Sequence, residues 1–450
     1  MPLRPCEDRW VPDSLPTVIG PIPGSRPPWG APSADVAARG YVVEEYQLEG
    51  SVVGYRIAPG TKATTDGRWA VEQFADATYR TRILVVRPVR APFNGTVVVS
   101  WQNVSAGYEI GSPSGEEIFD GYAWVGVSAQ EVGLYGFPVG LERFANHRAL
   151  PLVEHDPERY GSLFHPGDPA SFDIFTQAGR VVGPERPVDV DPMGGLDVRR
   201  VVAAGGSQSA MRLVTYLNAV HPFTRVFDGF LLSVWEGRAP RPEEGLLPMG
   251  VRTSIRTDTP TPVLVVNSEF EAPHLATIPV VDDDHLRVWE VAGTPHGVAR
   301  TRGEHPDARG RVANDLAYEP VREAALRAVH RWLADGTPAP SQPRIVVDPG
   351  PPATIRRDAH GNAVGGIRLP EIEAPTRAYY GMAHGTGRAP LFGAARPFTD
   401  DELRRLYPSR ASYVARWRDA VDALVQTGAL RPEDAPATKA RADQVVLPVE

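Results

Sequence analysis

Cysteine is nearly missing from this chain. Cys6 is the single one in 450 residues, which excludes an intramolecular disulfide and any thiolate-built metal site. Lysine is almost as scarce, at positions 62 and 439 alone, so arginine carries nearly all the positive charge. No apolar stretch approaches the roughly 20 residues of a membrane-spanning helix. The opening segment has no apolar core of the kind a secretory signal needs, so a cytoplasmic protein is expected. There is no P-loop, no GxGxxG and no internal repeat. His155-Asp156 and residues 282–285 are too loosely spaced to read as metal ligands, so neither a metal nor another cofactor is expected. A net charge of −8 argues against general nucleic-acid binding.

What is present is a globular composition, 42% apolar, with 46 Pro and 43 Gly. Those two types exceed the average but fall short of the disordered range, which predicts a folded protein with long surface loops. The length allows one large domain or two.

The chain is organised around residues 197–222. Val201, Val202, Ala203 and Ala204 form an apolar run suited to a buried parallel strand. Gly205-Gly206-Ser207-Gln208-Ser209 follows at once, and then Leu213, Val214, Leu217 and Val220 recur at helical spacing until His221-Pro222. A strand turning into a helix through Gly-x-Ser-x-small is the arrangement of a nucleophile elbow, in which the serine hydroxyl stands clear of the sheet. Ser209 replaces the usual second glycine and leaves a rival serine two residues on.

Further strands are expected at 41–57, as a pair around a Glu49-Gly50 turn, and at 79–89, 96–101, 122–129, 227–234, 262–267 and 286–291. Strands alternating with crossovers predict an α/β fold with a largely parallel sheet, whose ligands bind beyond the strand C-termini. Ser268-Glu269-Phe270-Glu271 follows one such strand, and Pro295-His296-Gly297 lies just past the next. The chain order is therefore Ser, acid, His, as in α/β-hydrolases. Ser207 would attack a carbonyl carbon, His296 would move the proton, and a carboxylate would orient the imidazole. Glu269, two residues past its strand, is favoured over Glu271. His274, His285 and His330 are worse placed. The oxyanion donors expected are the Gln208 N–H and a donor from Asn103 or Val104, after an earlier central strand. Gln130, Trp235 and Met249 are candidate pocket walls. Asp168 and His165 read as buried anchors of a long crossover.

Several stretches resemble the bacterial α/β-hydrolase-domain proteins of the carboxylesterase-like kind. They are FNGTVVVSWQNVSAG (93–107), DPERYGSLFHPGD with FDIFTQAGR (156–180), VVAAGGSQSA (201–210), PVLVVNSEFEA (262–272), RVWEVAGTPHG (287–297) and HGNAVGGIRLPEIEAPT (360–376). The likeness runs from about residue 15 to about residue 440. It implies an α/β-hydrolase fold, a mostly parallel central sheet flanked by helices. It also implies a Ser207–His296–Glu269 triad with Ser209 as an ordinary variant. The acid loop reads Glu-Phe-Glu where Glu-x-Asp is expected, which keeps Glu271 in play.

The expected layout is an extended arm over 1–40, a hydrolase core over 41–340 with a lid near 236–260, and an extension over 341–450 packed on that core. The expected activity is cleavage of small carboxylic esters through an acyl-enzyme. A lactonase, amidase or acyltransferase would use the same triad, and a catalytically silent binding protein is the rival of another class. A homo-oligomer is compatible with the sequence.

Overall fold

The computed structural model describes residues 15–24, 26–113, 115–141, 148–186, 189–245, 250–298, 310–383 and 389–449. Cys6 and Met249 lie outside them. The chain divides into two compact units, one of residues 1–232 with 237–263, the other of residues 233–236 with 264–450.

The first unit is built on a sheet of β1 (Thr17–Ile19), β2 (Tyr41–Ile57), β3 (Val71–Pro88), β4 (Thr96–Trp101), β5 (Ala123–Val127), β6 (Arg200–Gly206) and β7 (Gly229–Ser233). Its order is β1-β2-β3-β5-β4-β6-β7. β4 runs parallel to both β5 and β6, which explains its near-continuous Thr-Val-Val-Val run: neither face meets solvent. A small pair, β8 (Arg238–Ala239) with β9 (Val251–Arg252), occupies the segment expected as a lid.

β2 is one continuous strand of 17 residues, not the strand pair expected around Glu49-Gly50. Glu49 pairs with Arg80 and Gly50 with Tyr79 along an unbroken antiparallel ladder. The glycine answers to packing, since a Cβ there would sit 3.3 Å from Pro16 Cα. The irregularity falls instead at Val53/Gly54, where Ala75 of β3 is the extra residue at φ 53°.

That bulge is served from the helix Ser171–Val182, whose fully buried Asp173 accepts hydrogen bonds through Oδ2 from Val53 N and Gln177 Nε2, each at 3.1 Å. Its Oδ1 has no partner among the described residues. Pro222 does not end the helix that follows β6. The helix Gln208–Thr215 widens into a π turn over Tyr216–Val220 and continues as His221–Thr224, with Pro222 in its first turn. A proline lacks an N–H and crowds the preceding turn, and a first-turn position accommodates both.

The second unit contains β10 (Val263–Ser268) beside β11 (Leu286–Val291). It also holds β12 (Val312–Ala313), β13 (Val347–Asp348), β14 (Thr354–Ile355), β15 (Arg377–Tyr380) and β16 (Ala394–Pro397). β16 pairs antiparallel with both β12 and β15. Two 17-residue helices, Glu319–Asp335 and Arg410–Gln426, are the longest among the described residues of the unit. The first closes on Gly336 in the left-handed region at φ 76°. The second opens on a capping box from Ser409 and Ser412, and the shorter helix before it on one from Thr399 and Glu402.

Burial raises the Asp173 carboxyl to about 6, against the hydrogen bonds from Val53 and Gln177 that favour its charged form. The native carboxyl then holds its proton to higher pH than in the unfolded chain. Stability therefore falls as pH rises from about 4 to about 6 and is flat above that, a change of about 3 kcal/mol. Asp173→Asn should remove this component. Urea unfolding at pH 4.5 and 7.5 checks it, and an identical pH response in both proteins would refute the assignment.

Candidate active site

In the first unit, β6 passes into the helix Gln208–Thr215 through Ser207, whose backbone sits at φ 57°, ψ −119°. A residue with a Cβ avoids this region at a cost of roughly 1–3 kcal/mol, so the surroundings must impose it. They hold Gly206 at both peptide groups. Asn103 Nδ2 donates to Gly206 O at 2.9 Å, and the Ser209 hydroxyl donates to Gly206 O and accepts from Gly206 N, each at 2.9 Å. Gly205 permits the approach, because a Cβ on it would lie 2.9 Å from Leu213 Cδ1. Ser209 is buried and committed to this clamp. Ser207 is partly exposed, and its hydroxyl does not cap the helix.

The expected oxyanion residues separate by their existing bonds. Asn103 donates its N–H to Ile110 O at 3.2 Å, and its Oδ1 accepts from Ser105 N at 2.8 Å. With its amide on Gly206, Asn103 shapes the loop and is a poor donor to a substrate. Val104 N has only a long contact, 3.4 Å to Gln208 Oε1.

Behind them lies a buried polar chain. Gln208 Nε2 donates to Gln130 Oε1 at 2.7 Å, and Gln130 Nε2 donates to Asp168 at 3.2 Å. Arg212 Nη2 donates to the same Asp168 oxygen at 3.0 Å. Burial lowers the Arg212 pKa although Asp168 opposes it. His165, held by Ala129 O at 2.9 Å, is also lowered by burial. Gln130 is thus an interior brace that additionally accepts from Trp101 Nε1, and it presents almost no surface as a pocket wall. Asp168 and His165 are buried anchors, in keeping with their sequence context.

In the second unit, the partner of His296 is Glu271. His296 Nδ1 lies 2.5 Å from Glu271 Oε1. Glu271 Oε2 accepts from Ser268 N at 2.9 Å and Ser268 Oγ at 2.6 Å. This three-residue turn folds Glu271 back over the end of β10. Glu269, the acid favoured from sequence, is committed elsewhere. Its Oε1 accepts from Arg357 Nη2 at 2.6 Å and Gly381 N at 2.9 Å, and its Oε2 from Gly293 N at 2.7 Å. It fixes the loop that carries His296 without facing the imidazole. The signal available in the sequence was Ser268, three residues before Glu271. Arg357, 88 positions beyond Glu269, gave none.

Phe270 stacks edge-on against His296 with centroids 5.5 Å apart. Burial disfavours the charged imidazole, but the hydrogen bond and charge of Glu271, with the charge of Glu236, outweigh it and the pKa is raised. Glu236 was missed from sequence. It follows Val234, a β-branched residue at φ 47°, a conformation such side chains avoid. Trp235, a candidate pocket wall, is fully buried between them, its backbone bonded both ways to the Asn267 side chain at 2.8 and 3.0 Å.

NMR titration of histidine-labelled protein should place His296 above the ordinary value of about 6.5. Glu236→Gln should lower the midpoint, and Glu271→Gln should lower it further. Midpoints that stay put in both variants would contradict this electrostatic account.

A family model described as "Alpha/beta hydrolase domain" matches residues 18–440. A search of curated proteins returned no match. Among solved structures, the chain is similar to a cold-adapted esterase from an Arctic intertidal metagenomic library, at 12% identity and a TM-score of 0.27, covering 55% of this chain and 84% of that one. It is also similar to a prolyl endopeptidase, at 12% and 0.27, covering 56% of this chain and 35% of that one. A glucuronoyl esterase from Solibacter usitatus matches at 9% and 0.25, covering 56% and 76%. Such distant likenesses add nothing to the family match, which spans nearly the whole sequence. No helix among the described residues is long and apolar enough to cross a membrane. The chain belongs to the α/β hydrolase domain family, with that family's mostly parallel sheet flanked by helices.

Proposed function

We propose that the protein is a serine hydrolase that cleaves carboxylic esters, with Ser207 as nucleophile, His296 as general base and Glu271 as the orienting acid. The reading rests above all on the backbone of Ser207, a strained non-glycine residue exactly between a strand and a helix. Protein folds retain such strain where the surroundings over-determine it, and this turn is the one that projects a nucleophilic hydroxyl.

The acid–base chemistry follows from the 2.5 Å contact of Glu271 with Nδ1. A proton held there leaves the Nε2 lone pair as the base. Ser207 Oγ attacks the ester carbonyl carbon, and its proton passes to Nε2. The tetrahedral adduct collapses by breaking the carbon–oxygen bond, and the imidazolium protonates the departing alkoxide. Water then repeats the sequence against the acyl-enzyme. The Gln208 N–H, at the first position of its helix, and the weakly engaged Val104 N–H are the donors proposed for the oxyanion. The base must be neutral, so activity should rise with pH through a midpoint above the ordinary histidine value.

The test is intact mass after a fluorophosphonate probe, with peptide mapping. A single adduct on Ser207 is expected, retained in Ser209→Ala, absent in Ser207→Ala and slowed in His296→Ala. Ester turnover in Glu271→Gln should fall on the order of 10³- to 10⁴-fold, because an amide at Nδ1 selects the wrong tautomer. Folded protein that takes no label, or takes it on Ser209, overturns the proposal.

A further inference from the structure

Resting on that reading, we propose that the C-terminal region supplies an apolar rim beside His296 for the alcohol half of the ester. The protein would then select esters of apolar alcohols, with Phe392 and Met382 as specificity residues.

The argument begins with how the segment between β15 and β16 is tied to the histidine loop. Gly381 N donates to Glu269 at 2.9 Å, and Gly297 N donates to Leu391 O at 3.0 Å. Asn314 Nδ2 donates to Gly293 O at 2.7 Å and to Tyr380 O at 3.1 Å. Both ends of the segment press on the loop so closely that only glycine fits. A Cβ on Gly381 would lie 2.7 Å from Thr294 O, and one on Gly393 would lie 3.0 Å from Pro295 Cβ. Met382 follows the first of these glycines and Phe392 precedes the second. A Cβ at Gly297 would stand 3.7 Å from the Phe392 ring, which is ordinary contact distance.

Three large apolar side chains on residues next to these contacts are exposed: Phe392 and Val298, each 39%, and Met382, 45%. Phe270, buried, packs edge-on against the His296 imidazole. The leaving oxygen takes its proton from His296 and so departs within hydrogen-bond reach of that ring. The substituent on this oxygen meets the surface flanking the imidazole. Apolar carbon there gains by leaving water, up to about fourfold in kcat/KM for each methylene fully buried.

The experiment compares kcat/KM for acetates of ethanol, butanol and hexanol with ethyl esters of the matching acids. In the unmodified protein the alcohol series should climb two- to fourfold per methylene over its first members. Phe392→Ala and Met382→Ser should flatten the alcohol series while the acyl series keeps its own slope, and Phe392→Leu should restore part of the climb. Val281→Ser, at an exposed apolar position elsewhere in the unit, should leave both slopes alone. An alcohol series unmoved in both rim variants, or an acyl series flattened instead, overturns this inference while labelling of Ser207 upholds the activity. Failure to label Ser207 in the unmodified protein removes the activity and this inference together.

Discussion

The backbone of Ser207 is held where a residue with a Cβ does not rest, and its neighbours are chosen by that demand. Gly205 is small because Leu213 packs 2.9 Å from where its Cβ would be. Ser209 is polar because Gly206 needs both a donor and an acceptor. Asn103 reaches across from the end of β4 to hold the same glycine carbonyl. The strain is local, but the groups that maintain it come from two strands and a helix. A substitution at Gly205, Ser209 or Asn103 therefore acts on the serine's geometry before it acts on anything else.

The polar chain behind this turn extends the same logic. Gln208, Gln130, Asp168 and Arg212 are linked in series, and the last three are buried. Buried polar groups are expensive when unpaired and rigid when satisfied. Arg212 also donates to Glu244 O at 2.9 Å, so the segment between β8 and β9 is tied to the helix that starts at Gln208. The side chains that look most reactive in isolation, Asp168, His165 and Arg212, are thus the most fully engaged.

Much of this was legible in the sequence, for stated reasons. The strands β4, β6, β10 and β11 are short apolar runs bounded by turn residues, and Ser207 and His296 sit just past two of them. The pairing of His296 with Glu271 is not given by counting residues from a strand end, which does not say which carboxylate the turn folds inward; the one signal for it is Ser268, three residues before Glu271. Ser268 holds Glu271 in that turn with both its N–H and its hydroxyl. β2 was misjudged for a related reason. Gly50 looks like a turn, but its small size serves contact with Pro16, and the real irregularity is an inserted residue on the facing strand. Glu236 was invisible because its charge acts on His296 across sixty positions of sequence, and no local pattern marks that approach.

The second carboxylate explains why the C-terminal region cannot be treated as an appendage to the histidine loop. Glu269 is fully buried, and a buried charge survives only with compensating partners. Two of its three donors, Arg357 and Gly381 N, come from beyond residue 341. Without them the carboxylate would keep a single bond to Gly293 N, and leaving such a charge uncompensated typically costs about 3–5 kcal/mol. The loop would have to open to let water in, and it carries His296. The acid that does not bond the imidazole therefore holds the loop that carries it, with partners 88 and 112 positions downstream.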